Sequence, residues 1–331
     1  MRCKGNKKEM EIITGRVENS FTHERLTHYA GLGVTWDYVR SKGLVGLLNK
    51  VFPTIKYNST KFSKVQLLLS IVLAHLSDIH RLSRVEIFTC DPLVKHLLGL
   101  KSRIEDSTIK DKLLKLGDEG AFLLRNGLFS LTRQWLCKSN LSRITLDCDS
   151  TVSTVYGKQE GAEKGYNPHK KGANSYHPLL CYCSEMKLLI NSWFRPGSVY
   201  TSNGICDFLK QTLSVLPGHI KQIFFRADSG FFSGELFDFL EEGAHQYLVK
   251  VKLKNLTGWL KKQEWIAVNG RESICEFEYR AKDWQVSRRL KAIRILTGFD
   301  QYEVFGELYQ VPKYLYYVRS TSMSIFVIVP I

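Results

Sequence analysis

The sequence predicts a mixed α/β fold in which a helical region is followed by a sheet-forming core and then by a β-rich segment. Apolar residues recur at helical spacing up to about residue 140. At Arg143 the pattern changes to alternation, so that Ile144, Leu146 and Cys148 share one face of a strand. From Lys252 onward the chain is rich in β-forming residues. These three patterns together predict helices first and a mixed sheet afterwards.

Several amphipathic helices are predicted in the N-terminal region. Lys64–Leu76 and Leu93–Leu100 carry apolar residues at helical spacing. Ser107 and Thr108 can cap a further helix, and residues 119–137 continue with another apolar stripe. Short helices joined by polar turns favour a small DNA-binding or dimerisation bundle.

The core is predicted to begin with three strands. The first ends near Asp149, and His177–Cys183 and Met186–Phe194 form a hairpin. The following helix, strand, helix and strand are predicted over residues 203–216, 220–227, 233–242 and 246–251. An antiparallel three-strand meander followed by parallel strands that are connected through helices is the order of the ribonuclease-H-like fold.

The charge of the chain favours a polyanionic partner. Its 331 residues include 47 Lys and Arg against 32 Asp and Glu, a formal net charge of +15. Nucleic acid is the leading partner, because basic side chains neutralise phosphates and release counterions. An anionic membrane surface is the weaker alternative, and a solvated basic surface without a specific partner is also open.

The sequence has no features of a secreted or membrane protein. The longest apolar stretch, Val65–Leu76, is too short to cross a bilayer, and no apolar segment follows the basic N-terminal residues. The 8 cysteines form no CxxC pair, so most are expected to be small buried apolar residues in a reducing compartment. We therefore expect a cytoplasmic protein with no membrane partner.

The β-rich segment carries a concentration of basic and aromatic side chains. Residues 249–291 have an excess of six positive charges, with Trp259, Trp265 and Trp284 interleaved. Such a surface suits a phosphate backbone and stacked bases, whereas a sheet with inward aromatics and solvated lysines would give the same pattern. The candidate DNA-contacting residues in this segment are Lys252, Lys254, Lys261, Lys262, Arg288 and Arg289.

Two aspartates occupy corresponding positions at strand ends. Asp149 ends the first strand in TLDCDST, and Asp228 ends the fourth in FFRADSG. Because these strands are neighbours in the predicted fold, the two carboxylates are expected to meet and to hold one or two Mg²⁺ or Mn²⁺ ions for phosphodiester chemistry. Turn capping is the alternative for each aspartate. Asp147 shares a face with Asp149 and is a candidate alternate ligand.

Longer motif blocks give the chain a family resemblance. The runs LDCDSTVSTVYGKQEGAEKGYNPHKKGANSYHPLL, RPGSVYTSNG and RADSGFFSGELFDFLEE resemble the catalytic core of DDE transposases from bacterial insertion sequences, in the cut-and-paste group with a β-rich insertion. The resemblance extends from about His23 to about Val318. It implies that Asp149 and Asp228 are catalytic metal ligands.

The resemblance also implies partners and a location. It implies binding to double-stranded DNA, both the terminal repeats of a mobile element and target DNA. It further implies a homodimer on DNA and a place at the nucleoid of a bacterial cytoplasm.

The glycine-rich stretch Gly157–Ser175 lies beside the active site in the resembling family and is a second candidate DNA contact. A flexible solvent loop is the alternative. The spacing of His169 and His177 does not match any standard metal site, and the family needs no histidine ligand. The basic residues proposed to touch DNA in this stretch are Lys158, Lys164, Lys170 and Lys171.

This sequence has no glutamate at the position where the family has its third metal-binding carboxylate. The family places a Glu on a helix after the insertion, whereas the sequence after Lys313–Val318 is RSTSMSIFVIVPI, without Glu. Glu303 and Glu307 precede that place within a predicted strand. We therefore expect a truncated or frame-disrupted, catalytically incomplete chain. The predicted regions are a helical one (1–140), the ribonuclease-H-like core (141–252), the basic β-rich insertion (253–318) and an aberrant tail (319–331).

Two other functions share some of these features. A non-catalytic DNA-binding remnant that dimerises with intact transposase would differ only in the third ligand. A glycoside hydrolase with a catalytic carboxylate pair would need neither a metal nor a basic surface, so insensitivity to chelation would favour it.

Overall fold

The computed structural model describes residues 27–53, 61–251, 256–282, 284–304 and 307–321. The chain divides into two units between Ala121 and Phe122, and each unit is described separately below. Across these described ranges, no helix is both long and apolar enough to cross a bilayer.

The N-terminal unit is helical, and local sequence signals define its helix ends. The helices are α1 (Leu32–Ser41), α2 (Leu44–Val51), α3 (Lys64–Leu76), α4 (Leu82–Phe88) and α5 (Pro92–Leu98). Helix α3 begins where the sequence predicts it, because Ser63 and Gln66 form a capping box. Asp91 caps α5, and Pro92 occupies the first helical position. The sequence analysis missed α1, α2 and α4.

Helix α6 (Asp106–Cys137) contains a break at Gly117. The dihedral angles there are φ 58° and ψ −165°, which glycine adopts without a steric penalty. The sequence predicts two helices in this stretch, and Gly117 separates them.

The C-terminal unit contains the sheets and three further helices. Its helices are α7 (Ile205–Val215), α8 (Gly234–Glu242) and α9 (Leu256–Leu260). In chain order, its strands are β1 (Arg143–Ser150), β2 (Ser153–Thr154), β3 (Glu163–Lys164), β4 (Asn174–Tyr176), β5 (Leu179–Cys183), β6 (Leu188–Trp193), β7 (Gln222–Ala227), β8 (Gln246–Lys250), β9 (Ile266–Ala267), β10 (Glu272–Tyr279), β11 (Arg288–Val304) and β12 (Glu307–Thr321).

The large sheet has the predicted ribonuclease-H-like order at one end. Its strands run in the order β6-β5-β1-β7-β8-β12-β11-β10-β9. Strand β5 is antiparallel to both β1 and β6, whereas β7 lies between β1 and β8 and is parallel to both. The fold class predicted from the order of elements is confirmed.

The alternating pattern of β1 packs the core as predicted. Ile144, Leu146 and Cys148 are all buried, and they contribute to one apolar cluster with Phe208 of α7 and Phe237 of α8. Burial of these side chains stabilises the sheet and fixes its register, because a shift by one residue would turn Asp147 and Asp149 into the core.

The β-rich insertion extends the same sheet. Strand β12 pairs with β8, so the β11–β12 hairpin continues from the ribonuclease-H-like strands. The sequence predicts three separate segments here, Trp284–Leu296, Tyr302–Leu308 and Lys313–Val318, and the structure instead joins them into two long strands of 17 and 15 residues. Alternation marks β-structure, but where a long strand ends depends on its partner.

Candidate active site

The parallel register of β1 and β7 brings the two candidate carboxylates together. Cys148 pairs with Ala227 in this register. The next residues along the two strands are Asp149 and Asp228. Both lie, partly exposed to solvent, at the edge where the parallel strands end. The structure therefore places the two sequence-predicted aspartates side by side.

Each carboxylate is oriented by one backbone amide. The Ser150 N–H donates to Asp149 Oδ1 at 2.8 Å, and the Gly230 N–H donates to Asp228 Oδ1 at 2.9 Å. Oδ1 of Asp228 thus caps the turn Ser229–Phe231, whereas Oδ1 of Asp149 accepts from the next residue of β1. Within the described residues, Oδ2 of both side chains takes no hydrogen bond, which leaves one oxygen of each carboxylate for a ligand.

The electrostatics of the pair favour a cation. Burial raises the pKa of the Asp149 carboxyl, and the nearby Asp228 carboxylate raises it as well, whereas the Ser150 amide and His177 oppose this shift. Among the described residues, neither aspartate forms an ion pair with Lys or Arg. Two neighbouring carboxylates without a Lys or Arg partner among the described residues suit a divalent cation with hard oxygen ligands.

His177 and two hydroxyl side chains lie behind Asp149. The His177 ring is buried, with Nδ1 at 2.8 Å from the Val199 carbonyl oxygen and Nε2 at 3.0 Å from Ser150 Oγ. Ser150 Oγ is also 3.2 Å from Thr201 Oγ1. Both ring nitrogens of His177 are therefore engaged in hydrogen bonds.

A buried arginine holds the loop that carries Thr201. Arg195 is 7% exposed, and its Nε donates to the His177 carbonyl oxygen at 3.1 Å. Its Nη1 donates to the carbonyl oxygens of Tyr200, Thr201 and Asn203. The sequence analysis missed this role. Its only signal was that Arg195 begins the RPGSVYTSNG block.

The glycine-rich stretch contributes residues of β3 and β4 to a small three-stranded sheet. Strands β2, β4 and β3 pair in that order, and Gly165 packs against the backbone of Gly197. The Tyr156 ring is 79% exposed, with Lys170 Nζ lying 4.8 Å from its centroid. The four predicted DNA-contacting side chains of this stretch are all exposed: Lys158, Lys164, Lys170 and Lys171.

Comparison with known families identifies the chain. The family described as Transposase DDE domain group 1 matches residues 11–305. The chain belongs to this DDE transposase family. A search of curated proteins found no match.

Solved transposase structures are similar over much of the chain. A piggyBac transposase synaptic complex with hairpin DNA is 15% identical, with a TM-score of 0.38 over 87% of this chain and 57% of that chain. A Mos1 transposase paired-end complex is 10% identical, with a TM-score of 0.24 over 59% and 60%. The Drosophila P element transposase strand transfer complex is 13% identical, with a TM-score of 0.29 over 61% and 42%. The chain thus spans about three fifths or less of the length of these solved proteins.

In this DDE transposase chain, Asp147 is engaged in a different interaction from Asp149. Arg226 lies opposite Asp147 in the register of β1 and β7, and its Nε and Nη2 contact Oδ1 and Oδ2 at 2.6 and 2.8 Å. Hydrogen bonding to Asp147 raises the pKa of the Arg226 guanidinium. Both Asp147 oxygens are occupied, so its role as an alternate ligand stays a prediction that requires this pair to open.

The basic residues of the insertion differ in their availability to DNA. Lys261, Lys262 and Arg289 are exposed, although Arg289 also contacts Glu276 at 3.0 Å. Lys252 and Lys254 lie outside the described residues.

Arg288 is not presented to a DNA partner in this structure. Its side chain is 3% exposed and forms ion pairs with Asp238 and Glu241. Its guanidinium also lies 5.0 Å from the centroid of the Trp284 ring, which is itself buried. Because Arg288 is buried and paired, we exclude it from the DNA-contacting residues. The sequence shows the charge of Arg288 but does not show that α8 places two acidic side chains beside it.

The electrostatic cost of the carboxylate pair predicts a stability effect. Because the folded pKa of Asp149 lies above its unfolded value, ionisation of this carboxyl destabilises the metal-free fold above the folded pKa. We expect Asp149→Asn to raise the melting temperature in EDTA at neutral pH, with the gain disappearing below about pH 4. Thermal unfolding across pH measures this, with the exposed, Lys210-paired Asp207→Asn as the control. A gain that is absent at neutral pH, or that grows in acid, contradicts the account.

The close approach of the glycine-rich stretch to the Arg195 loop predicts a second effect. A Cβ at Gly197 would meet Ser175 Oγ and the Glu163 carbonyl oxygen. We expect Gly197→Ala to lower the free energy of unfolding by about 1–3 kcal/mol in urea denaturation, because the backbone must move. Gly218→Ala is the matched control, since a Cβ there meets no heavy atom within 4 Å. Equal stability of the two variants contradicts the packing described here.

Proposed function

We propose that this chain is a DNA transposase that carries out metal-dependent phosphodiester hydrolysis and strand transfer at the ends of a mobile element. The observation that carries the proposal is the Asp149 and Asp228 pair at the same edge of adjacent parallel strands, without a Lys or Arg ion pair among the described residues. Membership of the DDE transposase family supports the same reaction.

The two aspartates fit Mg²⁺ or Mn²⁺. Each has an oxygen without a hydrogen bond in the described structure, and the backbone amides of Ser150 and Gly230 fix the other. When bound, divalent cations activate a water or a 3′-hydroxyl and stabilise the leaving oxygen. Asp149 and Asp228 supply the negative charge and the fixed geometry that such binding requires.

A catalytically active transposase and a non-catalytic DNA-binding remnant differ in the presence of a third metal-binding carboxylate. Among the described residues, no group of three or more His, Cys, Asp or Glu is arranged to hold a metal. The two functions share Asp149, Asp228 and the basic surfaces, so a cleavage assay decides between them.

Substitution of either aspartate tests the reaction. A DNA fragment that carries both ends of the mobile element encoding this protein is incubated with the full chain and Mn²⁺ or Mg²⁺. We expect Asp149→Asn and Asp228→Asn each to reduce any cleavage by about 100-fold or more while DNA binding persists. Asp207→Asn is the control, and EDTA should abolish the reaction.

Each outcome of this assay has a defined meaning. Cleavage that survives Asp149→Asn or EDTA contradicts the proposed chemistry. DNA binding together with aspartate-dependent Mn²⁺ binding, but without cleavage by the unaltered chain, supports the non-catalytic remnant. Metal-independent hydrolysis of glycosides would instead support the carboxylate-pair hydrolase.

We assign DNA backbone contacts to two basic surfaces. The first comprises the four exposed lysines of the glycine-rich stretch, which begins eight residues after Asp149, and the exposed Tyr156 adds an aromatic face. The second comprises Lys261, Lys262 and Arg289, with Lys252 and Lys254 proposed from the sequence alone. Exposed cations near a phosphodiester site suit duplex DNA, because they neutralise its phosphates.

The salt dependence of binding tests the first surface. We expect the double variant Lys170→Gln/Lys171→Gln to reduce the slope of log K against log[salt] by about two, one for each lost phosphate contact. Fluorescence anisotropy with a duplex of the element end measures this slope. Lys210→Gln is the control, because Lys210 pairs with Asp207 on α7. An unchanged slope in the double variant contradicts this assignment.

The proposed setting is a homodimer on DNA in the bacterial cytoplasm, at the nucleoid. Two element ends must be joined in one reaction, which a symmetric dimer accomplishes with one protomer for each end. The described cysteines are free, and Cys148, Cys181 and Cys183 are buried, which fits a reducing compartment.

A further inference from the structure

One side chain, Thr201, lies between the end of β1, which carries Asp149, and the turn that carries Asp228. On one side, Thr201 Oγ1 is 3.2 Å from the Oγ of Ser150, whose N–H binds Asp149 Oδ1. On the other side, the Thr201 methyl group lies against Gly230, whose N–H binds Asp228 Oδ1. The end of β1 and the Asp228 turn are thus connected through one threonine.

The hydrogen bonds around Ser150 have a defined direction when His177 is neutral. The Val199 carbonyl oxygen can only accept, so His177 Nδ1 carries the proton. Nε2 then accepts from the Ser150 hydroxyl, and Ser150 Oγ is left to accept from Thr201. This chain of donors fixes the Ser150 side chain beside Asp149.

Arg195 connects the Thr201 loop to His177. It donates to three carbonyl oxygens of this loop, including that of Thr201, and to the His177 carbonyl oxygen. A buried guanidinium with several hydrogen bonds is costly to displace, because each released carbonyl oxygen would lose its partner. The backbones of Thr201 and His177 thus share one hydrogen-bond donor group.

Gly230 provides the space that Thr201 needs. Its φ is outside the left-handed region, so its backbone conformation does not require glycine. A Cβ there would instead lie 2.9 Å from Thr201 Cγ2 and 3.1 Å from both Thr201 Cβ and Asp228 Oδ1. The glycine is thus required by the close approach of Thr201 to the Asp228 turn.

We propose that Thr201 is a positioning residue that sets the separation of the Asp149 and Asp228 carboxylates, acting through Ser150 on one side and Gly230 on the other. This role rests on the proposed function, since it assumes that the two carboxylates bind metal together. Residues that orient metal ligands influence affinity without touching the metal.

Isothermal titration calorimetry of the full-length protein measures Mn²⁺ binding without DNA and without any requirement for activity. We expect Gly230→Ala to weaken Mn²⁺ binding by about tenfold or more. Thr201→Ser removes the methyl group and keeps the hydroxyl, so its affinity should stay near that of the unaltered protein. The double variant Gly230→Ala/Thr201→Ser should recover part of the lost affinity, because the 2.9 Å contact is gone.

A second variant tests the other side of Thr201 while preserving its shape. Thr201→Val keeps the side-chain volume but loses the hydroxyl, and we expect about tenfold weaker Mn²⁺ binding. Gly218→Ala is the matched glycine control, with no neighbour within 4 Å of its Cβ. Melting temperatures identify variants that fail to fold. If Gly230→Ala does not fold, Mn²⁺ binding by Thr201→Val decides whether Thr201 is a positioning residue.

The outcomes separate this role from the proposed function. Normal affinity in a folded Gly230→Ala, or no recovery by Thr201→Ser, overturns the role on the Asp228 side. Normal affinity in Thr201→Val overturns the role on the Asp149 side. If Asp149→Asn and Asp228→Asn leave Mn²⁺ binding unchanged, the metal site itself is wrong, and this inference fails with it.

Discussion

The parallel pairing of β1 with β7 is the constraint on which the candidate site depends. Residues 79 positions apart become neighbours because Cys148 pairs with Ala227, and the next residue on each strand is an aspartate. Antiparallel pairing would send the two strand ends to opposite edges. The buried face of β1 maintains this register, since Ile144, Leu146 and Cys148 can enter the core in only one phase.

The ionised carboxylates of the site lower the stability of the fold, whereas the apolar core raises it. Burial raises the pKa of the Asp149 carboxyl, and the nearby Asp228 carboxylate raises it further, so ionisation of Asp149 opposes folding. The backbone amides of Ser150 and Gly230 and the loop held by Arg195 keep the pair in place. Stored electrostatic cost of this kind is common where a protein is built for a charged ligand.

The sequence predicts the elements of the core better than the contacts between them. Alternation identifies β1, and the strand-end positions of Asp149 and Asp228 follow from the fold order, because both are properties of local pattern and topology. The role of Arg195 and the link from Ser150 to Thr201, 51 residues apart, arise from a loop conformation with no periodicity. The burial of Arg288 depends on a tertiary contact with Asp238 and Glu241 of α8, which the local sequence pattern does not show.

The metal site is tested most directly by a crystal structure of the protein grown with MnCl₂ and analysed by anomalous scattering from manganese. We expect one or two anomalous peaks within bonding distance of oxygens from both Asp149 and Asp228, with the ion pair of Asp147 and Arg226 still intact. A peak that is coordinated by Asp147 in place of Asp149, or no peak at this sheet edge under saturating Mn²⁺, would contradict this expectation.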